Sequence, residues 1–122
     1  MLRDGAIVDG SGSDASAGSV AVVGGRIAAI GDLRAVTARA VVDCASLSAE
    51  RFGLADRGRI APGLAADLVV FDPTTAGDNT TRAVPNRAPS GIETVVLNGT
   101  VVVSDGRFDR TARAGQVVRR AT

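Results

Sequence analysis

The chain has 122 residues, a net charge of +1 and a hydrophobic fraction of 45%, which suits one domain with a modest core. It contains no histidine, and all 14 of its basic residues are arginine. This composition excludes the commonest general base, the commonest metal ligand and any Schiff-base amine. The single cysteine excludes an internal disulfide and a cysteine-based zinc site. Catalysis by this chain alone is therefore not expected.

Composition also limits the partners and the compartment. A nucleic-acid surface normally needs a basic stripe and stacking aromatics, but here the arginines are scattered and the only aromatics are three phenylalanines. No apolar run reaches membrane-spanning length, and the N-terminus lacks the features of a signal peptide. We therefore expect a cytoplasmic protein that binds neither nucleic acid nor membrane.

Short β-prone runs separated by turn residues recur along the chain, which predicts an all-β sandwich or small barrel. Gly24-Gly25 and Asn98-Gly99 lie between such runs, and both dipeptides predict tight hairpins. The continuous apolar run of the fifth strand is typical of a strand buried on both faces. The predicted strands are Ala6–Val8, Ser19–Val23, Arg26–Ile30, Ala40–Asp43, Asp67–Phe71, Glu93–Leu97, Thr100–Val103 and Gln116–Arg119.

Three segments break this β pattern. Ser48–Phe52 predicts a short helix with Ser48 as its N-cap and Gly53 as its end. Asp32–Arg39 predicts a polar loop with room for one helical turn. Thr74–Ser90 has no periodicity, and so long a loop in a small domain normally packs against something or is disordered.

A few residues are candidates for a catalytic, metal-binding or partner-binding site. Asp43 and Asp67 could serve acid–base chemistry, but strand-end aspartates more often accept backbone hydrogen bonds in turns. Cys44 lies among valines and alanines, so a small buried side chain is favoured over a metal ligand. Phe52 and Leu54 could anchor a partner, although core packing is the favoured interpretation. The sequence therefore predicts no catalytic, cofactor-binding or metal-binding residue.

Motifs in both halves of the chain resemble the amidohydrolase superfamily. The opening of such enzymes is similar to Ala6–Gly12, Val20–Gly31 and Val41–Asp43. The C-terminal part of N-acyl-D-amino-acid deacylases (D-aminoacylase-like enzymes) is similar to Ala49–Gly58, Ile60–Gly63, Ala66–Pro73, Pro89–Ile92, Val95–Gly99 and Ala114–Arg120.

The resemblance implies a particular domain organisation. In that family the two ends of the polypeptide form a small β-sandwich beside a metal-dependent TIM barrel, a fold of about 250 residues. We therefore expect one composite domain over residues 1–122, built from segments 1–45 and 46–122, with the barrel absent between Cys44 and Ser46. The family's zinc ligands and catalytic aspartate belong to the barrel, so the resemblance implies no cofactor in this chain.

Two functional hypotheses follow from the resemblance. The first is a non-catalytic β-sandwich module resembling the small domain of a zinc-dependent N-acyl-D-amino-acid deacylase, which acts on C–N bonds other than peptide bonds. The alternative is a binding subunit that completes a split amidohydrolase with a separate barrel chain. Partners would be a second copy, forming a homodimer, or that barrel polypeptide. A self-sufficient enzyme ranks last, because it would need to work without histidine or lysine.

Overall fold

The computed structural model describes residues 2–31, 40–42 and 45–119. The predicted loop Asp32–Arg39 and the candidates Asp43 and Cys44 lie outside them. The described residues form β1 (Leu2–Val8), β2 (Ser16–Val23), β3 (Arg26–Gly31), β4 (Ala40–Val42), α1 (Ser46–Phe52), β5 (Leu68–Phe71), β6 (Ile92–Leu97), β7 (Thr100–Ser104) and β8 (Arg107–Phe108).

The strands are hydrogen-bonded in the order β3-β2-β1-β4-β5-β6-β7-β8. β4 runs parallel to β1, whereas every other neighbouring pair is antiparallel. The sheet thus has two antiparallel halves, β3-β2-β1 and β5-β6-β7-β8, which are joined through β4. The all-β class predicted from the strand pattern is confirmed.

Both halves of the sheet contribute to one hydrophobic core. The hairpin tips of the two halves also meet through the segment that precedes β5: Ala66 N–H donates to Gly25 O, and Gly99 N–H donates to Ala66 O, both at 2.9 Å. The sheet therefore folds over so that its halves face each other, as the predicted β-sandwich requires. The core residues are Ile7, Val20, Ile27, Ile60, Ala66, Leu68, Val70 and Val96.

Three two-residue turns shape the sheet. Gly24-Gly25 has φ angles of 56° and 80°, and Asn98-Gly99 has φ angles of 48° and 77°. Both predicted hairpins are confirmed, because a type I′ turn needs positive φ at both positions. Asp105-Gly106, with φ angles of 49° and 70°, forms a third such turn that pairs β7 with β8.

Several local predictions are wrong. The helix begins at Ser46 after Ala45, with no side-chain cap, so Ser48 lies inside it; Gly53 ends it as predicted, with φ 68°. Gln116–Arg119 forms no strand, because none of the described strands pairs with it despite its β-branched valines. Only one face of β5 is fully buried, since Leu68 and Val70 lie in the core while the residues between and after them are half-buried.

The predicted long loop is a self-supporting arm, which we define as residues 73–90. Every residue of the arm is exposed. Gly77 and Ser90 exchange backbone hydrogen bonds of 3.3 and 3.0 Å at its base, and Thr81 and Val84 exchange two more at its tip. The arm therefore makes backbone hydrogen bonds within itself at both ends, and none of its residues is buried against the sheet.

Candidate functional site

Arg57 is the centre of a charge cluster that also contains Arg26, Asp56 and Asp67. Its side chain is only 14% exposed, and Nη1 donates to Asp67 Oδ2 at 2.6 Å. Nε donates to Asp56 Oδ1 at 3.1 Å. Arg26 adds a longer contact of 3.8 Å to the other oxygen of Asp56. Arg57 is thus neutralised by two carboxylates on opposite sides.

Asp67 extends this cluster to the β6–β7 hairpin. Its Oδ1 accepts the backbone N–H of Asn98 at 2.7 Å. Asn98 in turn donates from Nδ2 to Ala114 O at 2.6 Å, which attaches the C-terminal segment. Asp67 therefore accepts a backbone hydrogen bond, as the preferred interpretation of strand-end aspartates expects. Because both of its oxygens are engaged, the carboxylate is a structural acceptor.

Asp56 is held in its charged form. The hydrogen bond from Arg57 lowers the pKa of this carboxyl below its usual value, and the charge of Arg26 acts in the same direction. A general acid or base works best with a pKa near the operating pH, whereas this shift moves the pKa of Asp56 further below pH 7. The cluster is therefore suited to holding segments together.

The resemblance implies zinc for the full-length family, so the residues of this chain can be tested against that metal. Protein zinc sites use histidine, cysteine and carboxylate ligands in groups of three or four. The sequence has no histidine and one cysteine. Within the part of the chain that the structure describes, no three histidine, cysteine, aspartate or glutamate side chains form a group that could hold a metal. These residues do not fit a zinc centre.

Helix α1 presents apolar side chains to solvent. Leu47 is 77% exposed and Phe52 is 69% exposed, while Ala49 is the one buried residue of the helix. The predicted core role of Phe52 is therefore wrong, and Leu54 is half-buried. The physical reason is that α1 approaches the chain at Gly58, where no side chain intervenes, and packs there through Ala49.

Leu47, Phe52 and Leu54 are named here the α1 surface. Leu54 borders three adjoining concavities, the largest of about 420 Å³. The lining of the largest is both polar and apolar, and its apolar residues include Ala49, Pro62 and Leu64. Its two arginines do not make an anion site, because Arg57 is bound by carboxylates and Arg59 lies 3.6 Å from Glu50.

Among the described residues, no helix is long and apolar enough to cross a membrane.

Comparison with known proteins identifies the lineage. Residues 24–103 match the model of the amidohydrolase family. The chain belongs to this family. Among curated relatives, this amidohydrolase-family chain is 44% identical to N-acyl-D-glutamate deacylase and 43% identical to D-aminoacylase, both of Alcaligenes xylosoxydans xylosoxydans and both over 81 residues. N-acyl-D-aspartate deacylase of the same organism is 40% identical over 72 residues.

The matches cover most of this chain but little of each relative. The two 81-residue matches span 66% of this chain and 16% of the relative. A crystal structure of D-aminoacylase described as defining a novel subset of amidohydrolases superposes with a TM-score of 0.58 at 45% identity, over 62% of this chain and 16% of that one. The fold matches the small β domain of D-aminoacylase, and the residues that the structure describes contain no barrel.

Sequence reasoning missed the Arg57 cluster. Its direct contacts join residues that are up to 31 positions apart in the chain, as for Asp67 and Asn98. One local signal was available: Asp56 and Arg57 are adjacent in sequence and lie just before a glycine. That pattern is also common on exposed loops, so it does not indicate burial or identify the distant carboxylate.

Proposed function

We propose that this chain is a non-catalytic β-sandwich module, equivalent to the small domain of a zinc-dependent N-acyl-D-amino-acid deacylase. The observation that carries the proposal is the match to 16% of such deacylases by a chain whose described residues share one hydrophobic core and do not fit a zinc centre. Function in this family is then expected to reside in the part of the relatives that the chain does not match.

The task of the module is to hold two sequence segments together. Arg26, from the first segment, contacts Asp56 and donates from Nη1 to Gly63 O at 2.9 Å. The Ala66 N–H bond to Gly25 O adds a second link between the segments. Arg57 stabilises the same region through its contacts with the carboxylates of Asp56 and Asp67. These contacts give the charged residues a structural role that requires no substrate.

Metal binding tests the proposal. The purified chain is dialysed against Zn²⁺ and then against metal-free buffer, and its zinc content is measured beside its circular dichroism spectrum. The proposal expects a folded β-rich chain with substoichiometric zinc. A folded chain that retains one zinc ion per molecule would overturn it.

The α1 surface supports a second candidate function, a binding subunit that completes a split amidohydrolase. The junction between the two sequence segments immediately precedes α1, so polypeptide inserted there in a relative would emerge beside Leu47 and Phe52. Two exposed apolar side chains beside this junction support a protein partner. In this candidate function the partner is a separate barrel chain that supplies the metal ligands and docks on the α1 surface.

A pull-down from the source lysate distinguishes the two candidates. The split-enzyme hypothesis expects a histidine-rich, barrel-sized polypeptide that co-purifies stoichiometrically and brings zinc and deacylase activity. Phe52→Asp should abolish its capture, whereas Val84→Asp on the exposed arm should not. If the chain purifies alone or only with itself, the split-enzyme hypothesis is rejected and the non-catalytic module is the remaining candidate.

A further inference from the structure

Asn98-Gly99 is the one place in the chain where a glycine follows an asparagine. The backbone nitrogen of the residue after an asparagine can attack the side-chain carbonyl carbon Cγ, and glycine leaves that nitrogen unhindered because it has no side chain. The other two asparagines precede Thr80 and Arg87, whose side chains crowd the attacking nitrogen. The chemistry of spontaneous deamidation therefore favours Asn98.

Both groups that would react are held by hydrogen bonds in the folded chain. Gly99 N–H donates to Ala66 O at 2.9 Å, and Asn98 Nδ2 donates to Ala114 O at 2.6 Å. The backbone N–H of Asn98 donates to Asp67 Oδ1 at 2.7 Å, and Asn98 and Gly99 are half-buried. The reaction therefore requires the turn to open locally, so the fold slows it without removing it.

The Asn98 side chain also holds the tail, which we define as residues 110–119. Ala112 and Ala114 are half-buried, and the other residues of the tail are exposed. The other hydrogen bonds described for the tail are local, formed with Asp109 or within the tail itself. The hydrogen bond from Asn98 is therefore a main attachment of the tail to the sheet.

We propose that Asn98 is a self-modification site at which deamidation detaches the tail. Gly99 N forms a bond to Asn98 Cγ, the Cγ–Nδ2 bond breaks, and Nδ2 leaves as ammonia with the proton from Gly99 N. Water then opens the resulting succinimide at either carbonyl, which gives aspartate or isoaspartate at this position. The reaction uses water alone, and it does not depend on either candidate function proposed above.

Both products weaken the contact with the tail. Aspartate presents carboxylate oxygens to Ala114 O in place of the Nδ2 donor, so two acceptors face each other without a hydrogen bond. The new negative charge also lies on the residue whose backbone binds the Asp67 carboxylate, and like charges repel. Isoaspartate lengthens the main chain of a two-residue turn, which is incompatible with type I′ geometry. Either product should therefore release the tail.

Peptide mapping by mass spectrometry tests whether Asn98 is the modified residue. The unmodified chain is incubated at mildly alkaline pH, both folded and in guanidinium chloride, and conversion is followed at every asparagine. In guanidinium chloride Asn98 should convert faster than Asn79 and Asn86. Folding should slow the conversion of Asn98 by at least about tenfold. Faster conversion of another asparagine in guanidinium chloride, or equal rates at Asn98 in the two solvents, would overturn the proposal.

Limited proteolysis tests whether the modification detaches the tail. Asn98→Asp reproduces the aspartate product, and aspartate fits this backbone because Asp105 has φ 49° in the β7–β8 turn. Trypsin should cut after Arg113 about fivefold faster in this variant, the population change expected from the loss of one hydrogen bond. Cleavage after Arg82 in the exposed arm is the internal reference. Urea denaturation checks that the variant is folded.

Asn86→Asp on the exposed arm is the matched control, because it introduces the same charge at a residue outside the turn that holds the tail. This variant should leave the cleavage after Arg113 unchanged. The proposal is overturned if Asn98→Asp does not accelerate that cleavage, or if Asn86→Asp accelerates it equally.

Discussion

Arg57 is the central residue of the charge cluster with Asp56 and Asp67. It is nearly buried, yet each carboxylate that contacts it keeps some exposure, Asp56 at 47% and Asp67 at 27%. Such a pair is most sensitive to the loss of one partner, because the remaining charge is then poorly solvated. The contrast with the more exposed Arg59–Glu50 pair makes this testable.

Arg57→Gln should lower the free energy of unfolding by about 1–3 kcal/mol, because it leaves the hydrogen-bonded carboxylate of Asp67 without its charged donor. Arg59→Gln is the matched control. Its ion pair with Glu50 spans 3.6 Å between side chains that are 52% and 69% exposed, so the effect should stay within about 0.5 kcal/mol. Urea denaturation measures both. Equal effects would show that burial of Arg57 has no energetic consequence.

Gly58 is a second critical residue. Its φ is +86°, and an added Cβ would overlap Ala49 Cβ of α1. Gly63 has nearly the same φ, +88°, but an added Cβ would meet nothing within 4 Å. Gly63→Ala should therefore cost about 1–2 kcal/mol from backbone strain alone, while Gly58→Ala should cost a further 1–3 kcal/mol, roughly, from the clash. Urea denaturation compares the pair, and equal costs would contradict the close approach of α1.

Asp56 makes the stability pH-dependent in a predictable direction. Arg57 lowers the pKa of Asp56 below its ordinary value of 3.8 in the folded chain. The charged form therefore stabilises the fold above that pH, and the contribution is lost as the pH falls through the lower folded-state pKa. Asp56→Asn should reduce the loss of stability on acidification. The same substitution in the R57Q background should have little effect. An unchanged acid profile in both backgrounds would contradict the coupling.

At the scale of elements, the arm is the clearest example of structure without burial. Its base is fixed by the Gly77–Ser90 bridge and by Gly91, whose positive φ and contact with Ala76 leave no room for a side chain. The core residues come from elsewhere in the chain. The arm is therefore an appendage of the β5–β6 connection, and its removal should leave the sandwich intact.

Replacing the arm by a short glycine-containing turn tests this. The unfolding free energy should change by less than about 1 kcal/mol, because loop length alters closure entropy only slowly and no buried contact is removed. Thermal and urea denaturation of the shortened chain provide the measurement. Loss of cooperative unfolding would show that the arm supports the core.

The elements that could be predicted from sequence are those fixed by local chemistry. Gly24-Gly25 and Asn98-Gly99 specify their turns by their own φ preferences. Gln116–Arg119 shows the opposite case, because two adjacent valines favour a strand but cannot supply the neighbour that a strand needs. β8 was missed for the complementary reason: its two residues pair only because the Asp105-Gly106 turn places them against β7.

The candidate site was less predictable than the fold, because it depends on contacts between distant parts of the chain. Asp67 was recognised as a hydrogen-bond acceptor, since strand-end aspartates follow a local rule. Arg57 was not recognised as a buried residue. Its burial arises only when the sheet folds and brings the two hairpin tips together. Phe52 was assigned to the core, because an aromatic residue after a helical turn normally packs inward, and nothing local shows that α1 lies off the sheet.

At the scale of the whole molecule, our proposal separates family membership from catalysis. Membership of the amidohydrolase family rests on residues 24–103, and those residues supply most of the core and a structural charge cluster. Hydrolysis of an amide at neutral pH needs an activated water, a base and stabilisation of the developing oxyanion. Hydrogen bonds lower the pKa of every described carboxylate whose pKa is shifted, so these groups stay charged at neutral pH. They are Asp9, Asp56, Asp78 and Asp109.

The most direct test of the module is an activity measurement on the purified, folded chain. Release of D-glutamate from an N-acyl-D-glutamate is followed with Zn²⁺ added, beside a blank without protein. The account predicts a rate equal to that of the blank at every chain concentration. A zinc-dependent rate that rises in proportion to the chain, and that persists after a second purification step, would contradict it.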